Sequence, residues 1–101
     1  MPSADGLRQY RLNLAREARR FKRYPVQARE RGWEGVVVVV VNTVAGAEHP
    51  QVMLSQSSGF EILDQEALEL VTQAIRTALI PDSLRGRLFG LTLPIHYHLD
   101  E

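Results

Sequence analysis

Leu88-Phe89-Gly90-Leu91-Thr92-Leu93-Pro94-Ile95-His96-Tyr97-His98-Leu99 is the stretch that decides the fold of this 101-residue chain. Phe89, Leu91, Leu93, Ile95, Tyr97 and Leu99 alternate with Gly90, Thr92, Pro94, His96 and His98. A period of two puts every second side chain on one face, so this is a β-strand with one buried face. Pro94 interrupts it chemically. Proline has no N–H to give a ladder and sits in sheets at edges or bulges. With Pro94 turned outward, Thr92, His96 and His98 also present their backbone groups to the open side, while Leu91, Leu93, Ile95 and Tyr97 bond to the neighbouring strand. An open edge of this length invites pairing with another chain. It is either protected against that pairing or used for it, by adding an extended peptide as a further strand. The spacing alone leaves both open.

Working outward, Val36 to Val41 is β-branched throughout and reads as a strand. Its two apolar faces suit a central position. Ala45-Gly46-Ala47-Glu48-His49-Pro50 forms a hairpin loop, Gln51 to Ser57 the return strand, and Ser57-Ser58-Gly59 breaks it. Asp64 suits a helix N-cap, and Ala67, Leu68, Val71, Ala74, Ile75 and Ala78 then share one helical face. Pro81 should stop that helix near Leu79 or Ile80, and 82–86 is expected to be a loop. Upstream, Leu7, Tyr10, Leu14, Ala18 and Phe21 fall on one helical stripe. Tyr24 precedes Pro25 and is pushed out of the helical region, ending this helix near Arg23. Pro25 opens a short second helix that Gly32 caps. The expected organisation is a disordered tail over 1–6, a basic amphipathic helix or linker end over 7–23, and one domain over 24–101. The fold class is α+β: two helices on one face of a three-stranded antiparallel sheet of order 2-1-3, with an additional short helix near the N-terminus.

Composition removes several classes of function. Hydrophobic residues make up 45% of the chain, enough for one modest core and marginal stability at this size. The formal net charge is zero, but residues 1–31 carry nine Lys/Arg against three Asp/Glu, a net of +6, and residues 32–101 carry the opposite balance. There is no cysteine, hence neither a disulfide scaffold nor a cysteine metal site. No run approaches the roughly 20 apolar residues of a membrane helix. The first residues lack a signal-peptide core, which leaves an anchor or targeting segment upstream of Met1 open.

The chemistry-bearing residues read more plainly as structure than as catalysis. Ser57-Ser58-Gly59 lacks the strand–turn–helix elbow of a serine nucleophile and reads as turn and cap serines. His96 and His98 share a strand face, with His49 as a third candidate ligand, but no carboxylate or cysteine pattern completes a zinc site. Asp64, Glu66 and Glu69 sit where a helix start favours negative charge. The basic segment Arg16 to Arg23, interleaved with Phe21 and Tyr24, keeps a nucleic-acid-binding module open as an alternative, without any recognised motif of that kind. The chain reads as a binding domain: no enzyme, no cofactor, no metal.

The motifs together resemble the C-terminal domain of TonB-family energy transducers over residues 24–99. The matching elements are Tyr24-Pro25 followed by Ala28, then Glu34-Gly35-Val36, Ser57-Ser58-Gly59, Leu63-Asp64 with Ala67-Leu68, and Leu93-Pro94-Ile95 with Tyr97 and Leu99. The longer hairpin loop and Ala78-Leu79-Ile80-Pro81 depart from the family pattern. The resemblance implies a periplasmic domain tethered to an inner-membrane helix, ExbB/ExbD-like partners, and a TonB-dependent outer-membrane receptor. That receptor's TonB box would add as a strand to the last strand, serving active transport such as iron-siderophore or haem uptake. Carried over residue by residue, contact falls on Tyr24, Pro25, Thr92, Pro94, His96 and His98. It implies no cofactor, and a monomer as an isolated domain with pairing through the same edge possible in principle. A TolA-like envelope scaffold is the related alternative.

Overall fold

The computed structural model describes residues 4–100. Along the chain lie α1 (Ala4–Phe21), α2 (Val26–Arg31), β1 (Gly35–Asn42), β2 (Gln51–Gln56), α3 (Glu61–Thr77), a 3-10 turn (Asp82–Leu84) and β3 (Gly90–Tyr97). The sheet order is β2-β1-β3 with both pairings antiparallel, as the sequence predicts. The valine strand is therefore central.

One layer of helix covers one face of this sheet. Val37, Val39 and Val41 of β1 and Leu91, Leu93, Ile95 and Tyr97 of β3 point into the core. There they meet Leu63, Ala67, Leu70, Val71 and Ala74 of α3 and Tyr10, Leu14 and Ala18 of α1. The other valines, Val36, Val38 and Val40, are only half-buried on the opposite face, beside exposed Thr92, Pro94 and His96. Thr43 pins the start of β3 to the end of β1: its backbone N–H donates to the Phe89 carbonyl at 2.9 Å, and its hydroxyl accepts from the Phe89 N–H at 2.7 Å.

Helix boundaries differ from the sequence expectation at three places. Residues 4–6 of the expected disordered tail are the first turn of α1, and 1–3 lie outside the described residues. Gly6 is the reason: it is buried against Ser83 and Leu84, where a Cβ would collide with the Ser83 hydroxyl. Tertiary packing there overrides the low helix propensity of glycine. At its other end α1 stops at Phe21. α3 starts at Glu61 with extended Phe60 at its N-cap, so Asp64 lies inside the first turn, and the helix ends at Thr77. Gly32 does cap α2, at φ 70°, a left-handed conformation that glycine reaches without strain.

The stripe of α1 makes it a structural part of the domain. Tyr10 and Leu14 are fully buried, and α1 packs on α3, β3 and the 3-10 turn. Among the described residues no helix is long and apolar enough to cross a membrane. Leu14→Ala is expected to cost about 2–4 kcal/mol of unfolding free energy, the range for truncating a buried leucine. Urea denaturation measures it. A change near zero would mean that α1 contributes nothing to the core.

Candidate functional site

The outer side of β3 is an edge, and its register shows which backbone groups face out. Pro94 stands opposite Val38, Thr92 opposite Val40 and His96 opposite Val36. Opposed residues in an antiparallel pair alternate between those that exchange both hydrogen bonds and those that exchange none. Pro94 cannot donate, so it belongs to a non-exchanging pair. Thr92 and His96, two residues away on either side, share that parity. Their N–H and C=O groups point away from β1, as does the Pro94 carbonyl, while Leu91, Leu93, Ile95 and Tyr97 pair inward.

Tyr24 and Pro25 lie at the Tyr97 end of this edge. The Tyr24 ring meets the Tyr97 ring edge-on, with centroids 5.6 Å apart at 88°, and its hydroxyl donates to the Trp33 carbonyl. Pro25 sits at φ −57° as the N-cap of α2. His98 lies past the strand. Its Nδ1 is 3.7 Å from a Glu34 carboxylate oxygen, which also accepts the Leu99 N–H at 2.9 Å. Thus Thr92, Pro94 and His96 form the edge itself, Tyr24 and Pro25 border its end, and His98 belongs to the anchored segment beyond. His96 and His98 rings are 5.8 Å apart. No group of three or more metal-ligating side chains exists among the described residues.

α1 stands beside this edge, a contribution that the sequence reading did not include among the site residues. Its Tyr10 meets Phe89 at one end, and Lys22 Nζ lies 5.3 Å from the Tyr97 ring centroid at the other. The helix therefore runs in the same direction as β3. A groove of about 330 Å3 opens between Ala15, Ala18 and Arg19 of α1, Lys22 just past its end, Leu70 of α3, and Leu93 to His96 of β3. The basic face of the helix carried the signal, but its position depended on tertiary packing.

The Ser57-Ser58-Gly59 and Leu63-Asp64 motifs form a staple behind the site. Asp64 is nearly buried and accepts from the Ser57 hydroxyl, from the Ser58 N–H at 2.9 Å and from the Ser58 hydroxyl at 2.9 Å. Burial by itself would raise its pKa, but these three hydrogen bonds outweigh it and hold the carboxyl below its ordinary value of 3.8. Gly35, opposite Tyr97, comes so close to this turn that a Cβ would sit 2.9 Å from the Ser58 Cβ. The staple thus joins the end of β2, the start of α3 and the end of the β1–β3 ladder. Trp33 stacks on Phe60 over the same turn, centroids 4.9 Å apart at 14°.

The described residues thus form a small α+β domain whose last strand is a proline-marked sheet edge bordered by a Tyr-Pro pair. Residues 21–99 match the family described as Gram-negative bacterial TonB protein C-terminal, and the chain belongs to that family. It is 30% identical over 97 residues to Protein TonB of Pasteurella multocida, covering 96% of this chain and 37% of that protein. It is also 42% identical over 48 residues to Protein tonB2 of Pseudomonas aeruginosa, covering 48% of this chain and 18% of that one. The chain therefore spans well under half the length of these relatives. Among solved structures, the Helicobacter pylori TonB C-terminal domain (residues 179–285) superposes with a TM-score of 0.76 at 27% identity, covering 92% of this chain and 83% of that one. The HasB C-terminal domain superposes with a TM-score of 0.52 at 30% identity, covering 91% and 71%. Most of α1 precedes the family-matched residues.

The staple makes a pH-dependent contribution of known sign. Asp64 has a folded pKa below its unfolded value, so it stabilises the fold fully above the unfolded value. That contribution is lost as pH falls through the folded value. Asp64→Ala is expected to cost about 3 kcal/mol at pH 7, where it strips charge-assisted hydrogen bonds and leaves the Ser58 N–H unpartnered. The gap between wild type and variant should narrow below pH 4 in thermal unfolding, and a pH-independent gap would contradict the assignment. A second test concerns the Tyr97 and Tyr10 hydroxyls, which are buried without a hydrogen-bond partner among the described residues. Tyr97→Phe should therefore leave stability unchanged or raise it by up to about 1 kcal/mol in the same assay.

Proposed function

We propose that this chain is the receptor-engaging domain of a TonB-like energy transducer. In this reading it acts in the periplasm, tethered to the inner membrane through a region outside the chain. That region would meet ExbB/ExbD-like partners. An outer-membrane receptor offers a short extended segment, the TonB box, which adds to β3 as a fourth strand. Coupling to the proton motive force then drives transport by acting on the receptor through that strand.

The observation that carries the reading is the outward parity of Thr92, Pro94 and His96 on an edge strand of a chain belonging to this family. Strand addition uses main-chain hydrogen bonds for affinity and alternate side chains for specificity. Thr92 and His96 each offer an outward N–H and C=O, and Pro94 a carbonyl alone. At about 1 kcal/mol net for each bond, such a ladder gives a reversible grip. The chemistry is binding throughout, with no covalent step and no cofactor.

Titration with a synthetic TonB-box peptide should shift the Thr92 and His96 amide resonances, slow their hydrogen exchange and perturb Tyr24. Thr92→Pro deletes an outward N–H without touching the inner ladder, so it should weaken binding about fivefold with little loss of thermal stability. Amides at 92 and 96 that ignore the peptide would sink the reading.

A further inference from the structure

We propose that His96 and His98 form a two-imidazole site for a late first-row divalent metal ion, with Glu34 holding His98 in position. The inference stands apart from strand addition. It concerns side chains on the open face of the sheet, whereas a guest strand would use backbone groups in the plane of its edge.

The strand itself places the two histidines. Residues two apart on a strand project to the same face. For His96 that face lies away from the helices, beside half-buried Val36 and Val38 and exposed Pro94. His98 follows just past the end of β3, and its ring stays near that of His96. The ring centroids are 5.8 Å apart with 35° between the planes. Two imidazoles on one ion, with metal–nitrogen bonds of about 2.0–2.1 Å at a tetrahedral angle, have ring centres about 5 Å apart. Small rotations of exposed His96 and half-buried His98 close that difference.

Glu34 supplies a carboxylate that the spacing of the histidines did not reveal. Gly35 stands opposite Tyr97, so Glu34 and His98 are the next residues out along the same pairing. A Glu34 carboxylate oxygen lies 3.7 Å from His98 Nδ1 and is itself fixed by the Leu99 N–H at 2.9 Å. A metal-bound histidine donates its other ring N–H to such a carboxylate, which sets the tautomer and the ring orientation and makes the imidazole a better ligand. With Nδ1 of His98 turned to Glu34, Nε2 is the atom left for the ion.

The arrangement is a clip rather than a cage, in keeping with the lack of any three-ligand group among the described residues. Two imidazoles leave the other coordination positions to water. Imidazole suits Zn2+, Ni2+ and Cu2+, and the general affinity order places Cu2+ first. An ion held there ties His96, the last outward residue of the β3 edge, to the anchored segment that begins at His98.

The test is a Zn2+ titration of the chain, following the imidazole resonances of His49, His96 and His98 by NMR. His96 and His98 should shift together, with one midpoint and one ion per chain, while His49 stays in place. Nitrogen shifts of His98 should report the metal on Nε2 and the proton on Nδ1. In His96→Asn the His98 ring should no longer respond at that midpoint, and the same holds for His96 in His98→Asn. Glu34→Gln should weaken binding about tenfold, and His49→Asn should leave it as it is. Separate midpoints for the two rings, or no response by about 1 mM Zn2+, would overturn the site. So would a metal on His98 Nδ1, loss of binding in His49→Asn, or an unchanged affinity in Glu34→Gln.

Discussion

The register of β3 against β1 is the constraint on which the rest of the molecule depends. Opposing Val38 to Pro94 fixes the parity of every residue on the last strand. One parity faces the helices and supplies Leu91, Leu93, Ile95 and Tyr97 to the core. The other parity leaves its backbone unpaired. A slip of one residue would carry the apolar set to the open face and turn the proline into the ladder, so two penalties oppose it at once. Core and edge are thus specified by the same eight residues.

That strand is held at both ends. At its start, Thr43 exchanges hydrogen bonds with Phe89. Near its end, Gly35 closes against the turn that Asp64 organises, and Tyr24 stacks edge-on against Tyr97. If the edge takes a guest strand as proposed, this pre-ordering would reduce the conformational entropy lost on binding. Ser57-Ser58-Gly59 and Leu63-Asp64 thereby act as support for the edge.

Much of this was legible in the sequence because it is local or periodic. The alternation from Leu91 to Tyr97 and the α3 face each determine an element and its buried side, and the valine run determines a strand; the alternation runs on to Leu99 in the sequence, but β3 ends at Tyr97 and Leu99 is exposed. Pro94 went further, since a missing N–H implies an orientation. What stayed hidden required two distant segments at once. Gly6 looks like a helix breaker until Ser83 and Leu84 are seen against it. Asp64 looks like an N-cap because its real partners, Ser57 and Ser58, belong to a turn whose path the sequence does not give. The stripe of Tyr10, Leu14 and Ala18 leaves a packed helix and a linker end both open; only the assembled layer shows that α1 packs and that its flank overlooks β3, so the groove could not be read in advance.

The sheet has a second edge, and its irregularity bears on symmetry. Between Val38 and Val39 the β1–β2 register skips from Gln56 to Leu54, leaving Ser55 as the extra residue of a bulge on β2. Laying β2 of one molecule on β3 of the next is a head-to-tail operation, which propagates as a filament unless its rotation closes a ring. The bulge twists one member of that contact and the proline breaks the other, so neither presents a straight, complete ladder. Laying β3 on the β3 of a second copy is a twofold operation that closes after one step. Each edge of the sheet thus carries its own obstacle to open-ended growth, a bulge on β2 and a proline on β3.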